Sequence, residues 1–260
     1  MNRLTILLVL WAGLATAGLF WLVINDRPQS VDIAALDDLN RQAFRDQVRA
    51  YLMESPEVLV DAITVLERRQ AEDQSVNDKL LISQNAEDLF ADGVSFEKGN
   101  PEGDIIMVEF LDYRCTFCKR ADPEIRKLLS ADDNIRFILK EYPILGDESE
   151  LASRFAISVL NNAGAQAYAD VHDILMDFRG TFTVVSLERV AVSLDLDAAA
   201  IMATMDAPEV SETIDRNRAL AQRMRINGTP GFVLGDQIVR GFIPLENMQD
   251  IVAQQRQQEG

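Results

Sequence analysis

From Ile105 to Leu111 the chain reads Ile-Ile-Met-Val-Glu-Phe-Leu, with Glu109 its one charge, and the turn-rich Gly99-Asn100-Pro101-Glu102-Gly103-Asp104 stands just before it. A short, nearly continuous apolar run between turn signals reads as a strand buried on both faces. A helix from about Cys115 to Leu129 follows, and then Ile135-Arg136-Phe137-Ile138-Leu139-Lys140 as a second strand. Strand, helix, strand in that order makes a parallel pair joined by a right-handed crossover, so the fold class is α/β.

The rest of the chain arranges itself around this unit. Residues 148–226 carry only helical periodicities: Leu151, Phe155 and Val159, then Val171, Ile174 and Leu175, then Leu187, Val190 and Leu194. That predicts a large all-helical insertion. After Thr229-Pro230, the segments Gly231–Leu234 and Gln237–Arg240 flank Gly235-Asp236, a hairpin signal, and a last helix runs from about Leu245 to Gln255. The domain so defined spans 93–260. Before it, residues 28–92 form a helical N-terminal region. Phe44, Val48, Tyr51 and Leu52 share one face, Ser55-Pro56-Glu57 ends one helix and starts the next, and Leu59, Ile63 and Leu66 form a second stripe. The polar run from Glu67 to Lys79 has no Pro or Gly and reads as a solvated helical stalk.

Residues 1–27 are different. Leu4 to Ile24 is 21 residues without a charge, about 31 Å of helix, enough to cross a bilayer core. Ala15-Thr16-Ala17 also has the form of a signal-peptidase site, but the apolar run continues past it through Ile24, which favours an uncleaved anchor over a cleaved signal peptide.

The composition narrows the chemistry. Against 25 basic residues stand 42 acidic ones, a net charge of −17, which argues against a nucleic acid partner held by clustered Lys and Arg. One histidine, His172, and two cysteines, Cys115 and Cys118, make a Ser/His/Asp triad, a Cys/His nucleophile pair or a four-ligand Cys/His zinc site difficult or impossible to assemble. No metal and no cofactor is expected, and His172 reads as a surface residue of a helix.

Cys115-Thr116-Phe117-Cys118 sits where the buried strand gives way to a helix. Unpaired N–H groups and the dipole at a helix N-terminus favour a thiolate at the first cysteine, and the i, i+3 spacing lets the second close a disulfide with it. Cys115 therefore attacks and Cys118 resolves, passing two electrons through a mixed disulfide. Thr229-Pro230 either forms a cis bond that opens the Thr229 backbone to an extended peptide or makes an ordinary trans turn. Glu109 is either a buried acid with raised proton affinity, suited to moving protons at Cys118, or a carboxylate whose head reaches solvent. Lys140, ending the neighbouring strand, is its expected partner.

These motifs resemble the DsbA family of thiol:disulfide oxidoreductases, in its ScsC-like branch, from about residue 40 to 256. The resemblance rests on Tyr51-Leu52 with Ser55-Pro56-Glu57-Val58, Gly99-Asn100-Pro101, the stretch from Val108 to Lys119, Lys140-Glu141-Tyr142-Pro143-Ile144-Leu145-Gly146, and Gly228-Thr229-Pro230-Gly231-Phe232. It implies a thioredoxin fold, a catalytic set of Cys115, Cys118, Pro230 and Glu109 with Lys140 in support, and substrate contacts at Thr116, Phe117 and Thr229. It further implies a periplasmic home, and with the apolar run 4–24 as its tether to the inner membrane the chain reads as an enzyme that forms disulfides in cysteine-containing protein substrates with a membrane redox partner. The alternatives are a reductase or isomerase kept reduced by that partner, joined as a homo-oligomer through residues 36–90, or a chaperone-like binding module. Strong oxidants of the family carry Pro-His between the cysteines where this chain has Thr116-Phe117.

Overall fold

The structure, a computed structural model, describes residues 38–259; the apolar segment 4–24 lies outside the described residues. Among the described residues no helix is long and apolar enough to cross a membrane. The chain divides into two compact units after Glu67. In the first, α1 (Asp38–Glu54) ends at Ser55-Pro56 and α2 (Glu57–Gln84) begins. Phe44, Val48, Tyr51, Leu59, Ile63 and Leu66 are all exposed here.

The division falls earlier than the expected boundary near residue 93, because residues 68–92 belong with the sheet. Ile82 of α2 and Leu89 of α3 (Ala86–Phe90) are buried in one cluster with Val108, Phe110, Ile138 and Val233. Asp78 of α2 makes a paired contact with Arg240 at 3.0 and 3.2 Å. The polar run is helical, as its lack of breakers requires, and from Arg68 on it belongs to the second unit.

Five strands follow: β1 (Phe96–Gly99), β2 (Ile105–Leu111), β3 (Ile135–Glu141), β4 (Gly231–Leu234) and β5 (Gln237–Arg240). Their order is β1-β3-β2-β4-β5, with β2 and β3 parallel and the other neighbours antiparallel. Between β2 and β3 runs α4 (Thr116–Ala131), the expected crossover. Edge strand β1 was not expected from the sequence. It is four residues long with one buried side chain, Phe96, and ends at Gly99, whose φ of +85° brings it so close to β3 that a Cβ would overlap the Ile135 carbonyl oxygen.

The insertion is helical throughout: α5 (Asp147–Asp177), kinked at Gly164 where φ is 84°, then α6 (Val184–Ser193), α7 (Ala198–Thr204) and α8 (Pro208–Arg223). The chain closes with α9 (Leu245–Glu259). Strand pleating sends alternate side chains to opposite faces. Met107, Leu111, Phe137 and Leu139 pack with α4, α5 and α9, while Val108, Phe110 and Ile138 pack with α2, α3 and α8. Each such side chain, fully buried, contributes about 1.5–3 kcal/mol, so β2 is held from both sides and its C-terminal end is a firm platform.

Candidate functional site

The cysteine pair stands on that platform. Cys115 caps α4 and Cys118 lies inside its first turn; both thiols are free, and both residues are buried, Cys118 completely. The Thr229–Pro230 bond is cis, and the Thr229 carbonyl oxygen is 3.0 Å from Cys115 Sγ, which donates to it as a thiol. Thr116 and Phe117 are exposed and Pro230 is buried.

The two thiols differ sharply in acidity. The Cys118 thiol donates toward Cys115, and with the Thr229 side chain and the backbone N–H groups of Cys118 and Phe117 it outweighs burial, lowering the Cys115 pKa to about 6. Burial, the hydrogen bond to Cys115 and the charge of Glu109 push the Cys118 thiol far up. A thiolate at Cys115 and a thiol at Cys118 is the state that attacks a disulfide and waits to resolve. The cations beside the motif are engaged elsewhere. Arg114 donates to the Gly180 carbonyl, Lys119 to those of Leu175 and Phe178, and Arg120 lies over the Phe242 ring.

Glu109 is 2% exposed, and its Oε1 has no hydrogen-bond partner. Burial first, then the charges of Asp122, Cys115 and Glu141, hold its carboxyl well above the ordinary carboxylate range. Lys140 does not support it. In the β2–β3 register Glu109 lies opposite Leu139 while Lys140 lies opposite Phe110, so pleating puts the two side chains on opposite faces. Lys140, fully buried, gives its hydrogen bonds to Asp92 at 2.6 Å and to the Asp88 carbonyl at 2.8 Å. Burial lowers its pKa against that pairing. Its role is to fasten the segment after α3 to β3.

A second buried constellation lies beside the cysteines and was not expected. Glu141 accepts from Tyr113 at 2.9 Å, Tyr168 at 2.5 Å and Ser153 at 2.7 Å. His172 is 7% exposed, not a surface residue. Beyond the kink, α5 buries Tyr168, Val171, His172, Leu175 and Met176 and leaves Ile174 only partly covered. Its Nδ1 is 3.2 Å from the Tyr113 hydroxyl and its Nε2 3.6 Å from Asp122. Asp112, fully buried, accepts from the backbone N–H of Arg114, Ile144 and Leu145 and from Ser149 at 2.7–3.0 Å. The loop before Cys115 is thus tied to both halves of α5. The sequence signal was Asp112-Tyr113, two polar residues where a buried strand ends.

The chain is similar to other proteins in sequence and in fold. Residues 106–253 match the DSBA-like thioredoxin domain, and residues 40–72 match the N-terminal domain of the copper resistance protein ScsC. A thioredoxin-like oxidoreductase from Silicibacter pomeroyi is 38% identical, with a TM-score of 0.62 over 66% of this chain and 97% of that one. Proteus mirabilis ScsC is 27% identical, with a TM-score of 0.61 over 85% of this chain and 97% of that one. A periplasmic thioredoxin-like protein from Salmonella enterica serovar Typhimurium is 26% identical, with a TM-score of 0.58 over 65% and 94%. Among curated proteins, a Na(+)/H(+) antiporter NhaA from Salinispora arenicola is 27% identical over 57% of this chain, which spans 23% of the antiporter's length. The match from 106 to 253 takes in both cysteines, the cis-proline and the helical insertion between them, and with the N-terminal match it makes this chain a member of the DsbA family of thioredoxin-like thiol-disulfide oxidoreductases, of ScsC-like type.

Proposed function

We propose that the protein forms disulfides in cysteine-containing protein substrates in the periplasm, taking its own reoxidation from a membrane redox partner. The observation that carries this reading is the split in acidity between Cys115, with a pKa of about 6, and the buried Cys118. An enzyme oxidises because its reduced form is stabilised, and a thiolate held at neutral pH is that stabilisation. An extended substrate segment lies along Thr229, beside Cys115, with the exposed Phe117, Ile144 and Leu145 offering apolar contact. Residues 4–24 tether the enzyme to the inner membrane.

A second reading, a reductase or isomerase acting as a homo-oligomer through residues 36–90, is favoured by the exposed apolar residues of α1 and the first turns of α2. Reduced, unfolded ribonuclease and a scrambled form of it separate the two. An oxidase regains activity from the first with glutathione disulfide present, whereas an isomerase rescues the second. Loss of both activities in Cys115→Ser is expected; substrate rescue by that variant would instead indicate a binding module.

A further inference from the structure

The loop before Cys115 holds two other segments by their backbones. Asp112 accepts from the N–H groups of Ile144 and Leu145, at 2.8 and 3.0 Å. Two residues later, Arg114 donates from Nη1 to the Gly180 carbonyl at 3.1 Å, and its Nε lies 3.5 Å from Glu148 Oε2. That same Glu148 oxygen, in the first turn of α5, accepts from the Phe182 N–H at 3.0 Å. A cation on the carbonyl of Gly180 and an anion on the N–H of Phe182 match the polarity of the backbone they grip, which a single charge could not do.

The turn so held, between α5 and α6, is built to keep its shape. The Phe178 and Phe182 rings stack 4.9 Å apart, and Gly180 passes where a Cβ would come within 3.0 Å of the Phe178 ring. Lys119 of α4 donates to the carbonyls of Leu175 and Phe178, and its ammonium lies 5.7 Å from the centre of the Phe182 ring. Carbonyls at a helix C-terminus lack partners within the helix and favour a cation. At the far end of the turn, Thr183 and Ser186 close a capping box that starts α6.

Val184 and Val185 follow directly, 55% and 52% exposed, while Ile144 and Leu145 are 38% and 54% exposed. Single exposed apolar residues are ordinary. Here two adjacent pairs are exposed, and the segments that carry them are tied to Asp112 and Arg114, just ahead of Cys115. We propose that Arg114 and Glu148 are positioning residues for protein substrates: together they fix Val184–Val185 relative to Ile144–Leu145, so that a segment carrying the reacting cysteine meets two preset apolar pairs. The inference rests on the reading that Cys115 and Cys118 exchange disulfides with proteins. Arg114 and Glu148 direct their contacts at the turn and at each other, and a small thiol has no use for the apolar pairs. Their loss therefore weakens the binding of a peptide and leaves the exchange itself unaltered.

The test mixes the full-length protein in its disulfide form with excess reduced peptide bearing two cysteines, each beside leucines, and separately with dithiothreitol. In both cases one reagent thiolate attacks Cys115 Sγ and Cys118 leaves with the electron pair. The second reagent thiolate then displaces Cys115, so two electrons and two protons pass to the enzyme and the reagent ends as a disulfide. Arg114→Ala and Glu148→Ala should each raise the half-saturating peptide concentration about tenfold, the loss of one charge-assisted hydrogen bond, while the limiting rate and the dithiothreitol rate hold. Arg114→Lys keeps a cationic donor and should stay near the wild type. A matching fall in the dithiothreitol rate, or an unchanged half-saturation, overturns the proposal. Should the alanine variants fail to fold, the double variant Val184→Ser, Val185→Ser decides, because both side chains face solvent. The same rise is expected there, and an unchanged half-saturation overturns the proposal. A wild type that leaves both reagents reduced would instead overturn the oxidoreductase reading beneath it.

Discussion

The Cys118 thiol, Thr229 and the backbone N–H groups of the first turn lower the Cys115 pKa, and the side chains of the dipeptide between the cysteines add no charge to that. Phe117 is 55% exposed and offers its ring but no charge to the sulfur. Phe117→His places an imidazole at the same helix N-terminus, so it should lower the Cys115 pKa below about 6 and make the pair more oxidising. Equilibration against glutathione checks this; an unchanged or more reducing equilibrium contradicts it. Glu109 gives a second prediction. Its folded proton affinity is raised above the ordinary value of 4.5, so its contribution to stability is present below that value and is lost as pH rises toward the folded one. Glu109→Gln should remove that downward slope in urea denaturation above about pH 4.5, and should slow exchange by about 100-fold as the general acid is lost. The cysteines were legible because the chain has only two. His172 was not, because a histidine beside Val171 leaves the apolar stripe looking complete without it, and only the fold brings Tyr113 and Asp122 to its two nitrogens.

The elements around the site are fastened by buried polar groups rather than by apolar contact alone. Glu141 at the end of β3 gathers hydroxyls from Ser153 and Tyr168, on either side of the Gly164 kink in α5, together with Tyr113. Glu141→Ala leaves three hydroxyls without their acceptor and should cost about 3 kcal/mol or more by urea denaturation. Gly164→Ala meets no neighbour but must hold a φ of 84° with a ψ of −177°, a region almost confined to glycine, at a cost of about 1–3 kcal/mol from conformation alone. The helical insertion and the two parallel strands were readable from periodicity and from the turn residues that bound them. Strand β1 was hidden, since Phe96 is its only buried side chain and no alternation can be seen in four residues. The mispairing of Lys140 with Glu109 has a similar origin: adjacency of strands was legible, but the register that sends those residues to opposite faces was not.

At the scale of the molecule, the boundary between units decides which truncations survive. Removing residues 28–67 should alter assembly and leave the Cys115–Cys118 chemistry intact. Extending the deletion to residue 90 strips Ile82 and Leu89 from Val108 and Phe110, so it should destabilise the catalytic unit; sedimentation and thermal unfolding of the two truncations compare them. If the wild type sediments as a monomer at high concentration, the exposed face of α1 and α2 does not serve assembly. A sheet held on both faces keeps Cys118 dry, and α4 turns its N-terminal N–H groups toward Cys115. The most direct test of that arrangement is an ultraviolet thiolate titration of the reduced protein. A single thiolate should form with a midpoint near pH 6, with no second one appearing up to about pH 9. A first midpoint near the ordinary thiol value of about 8.5, or two thiolates forming together, would contradict the account.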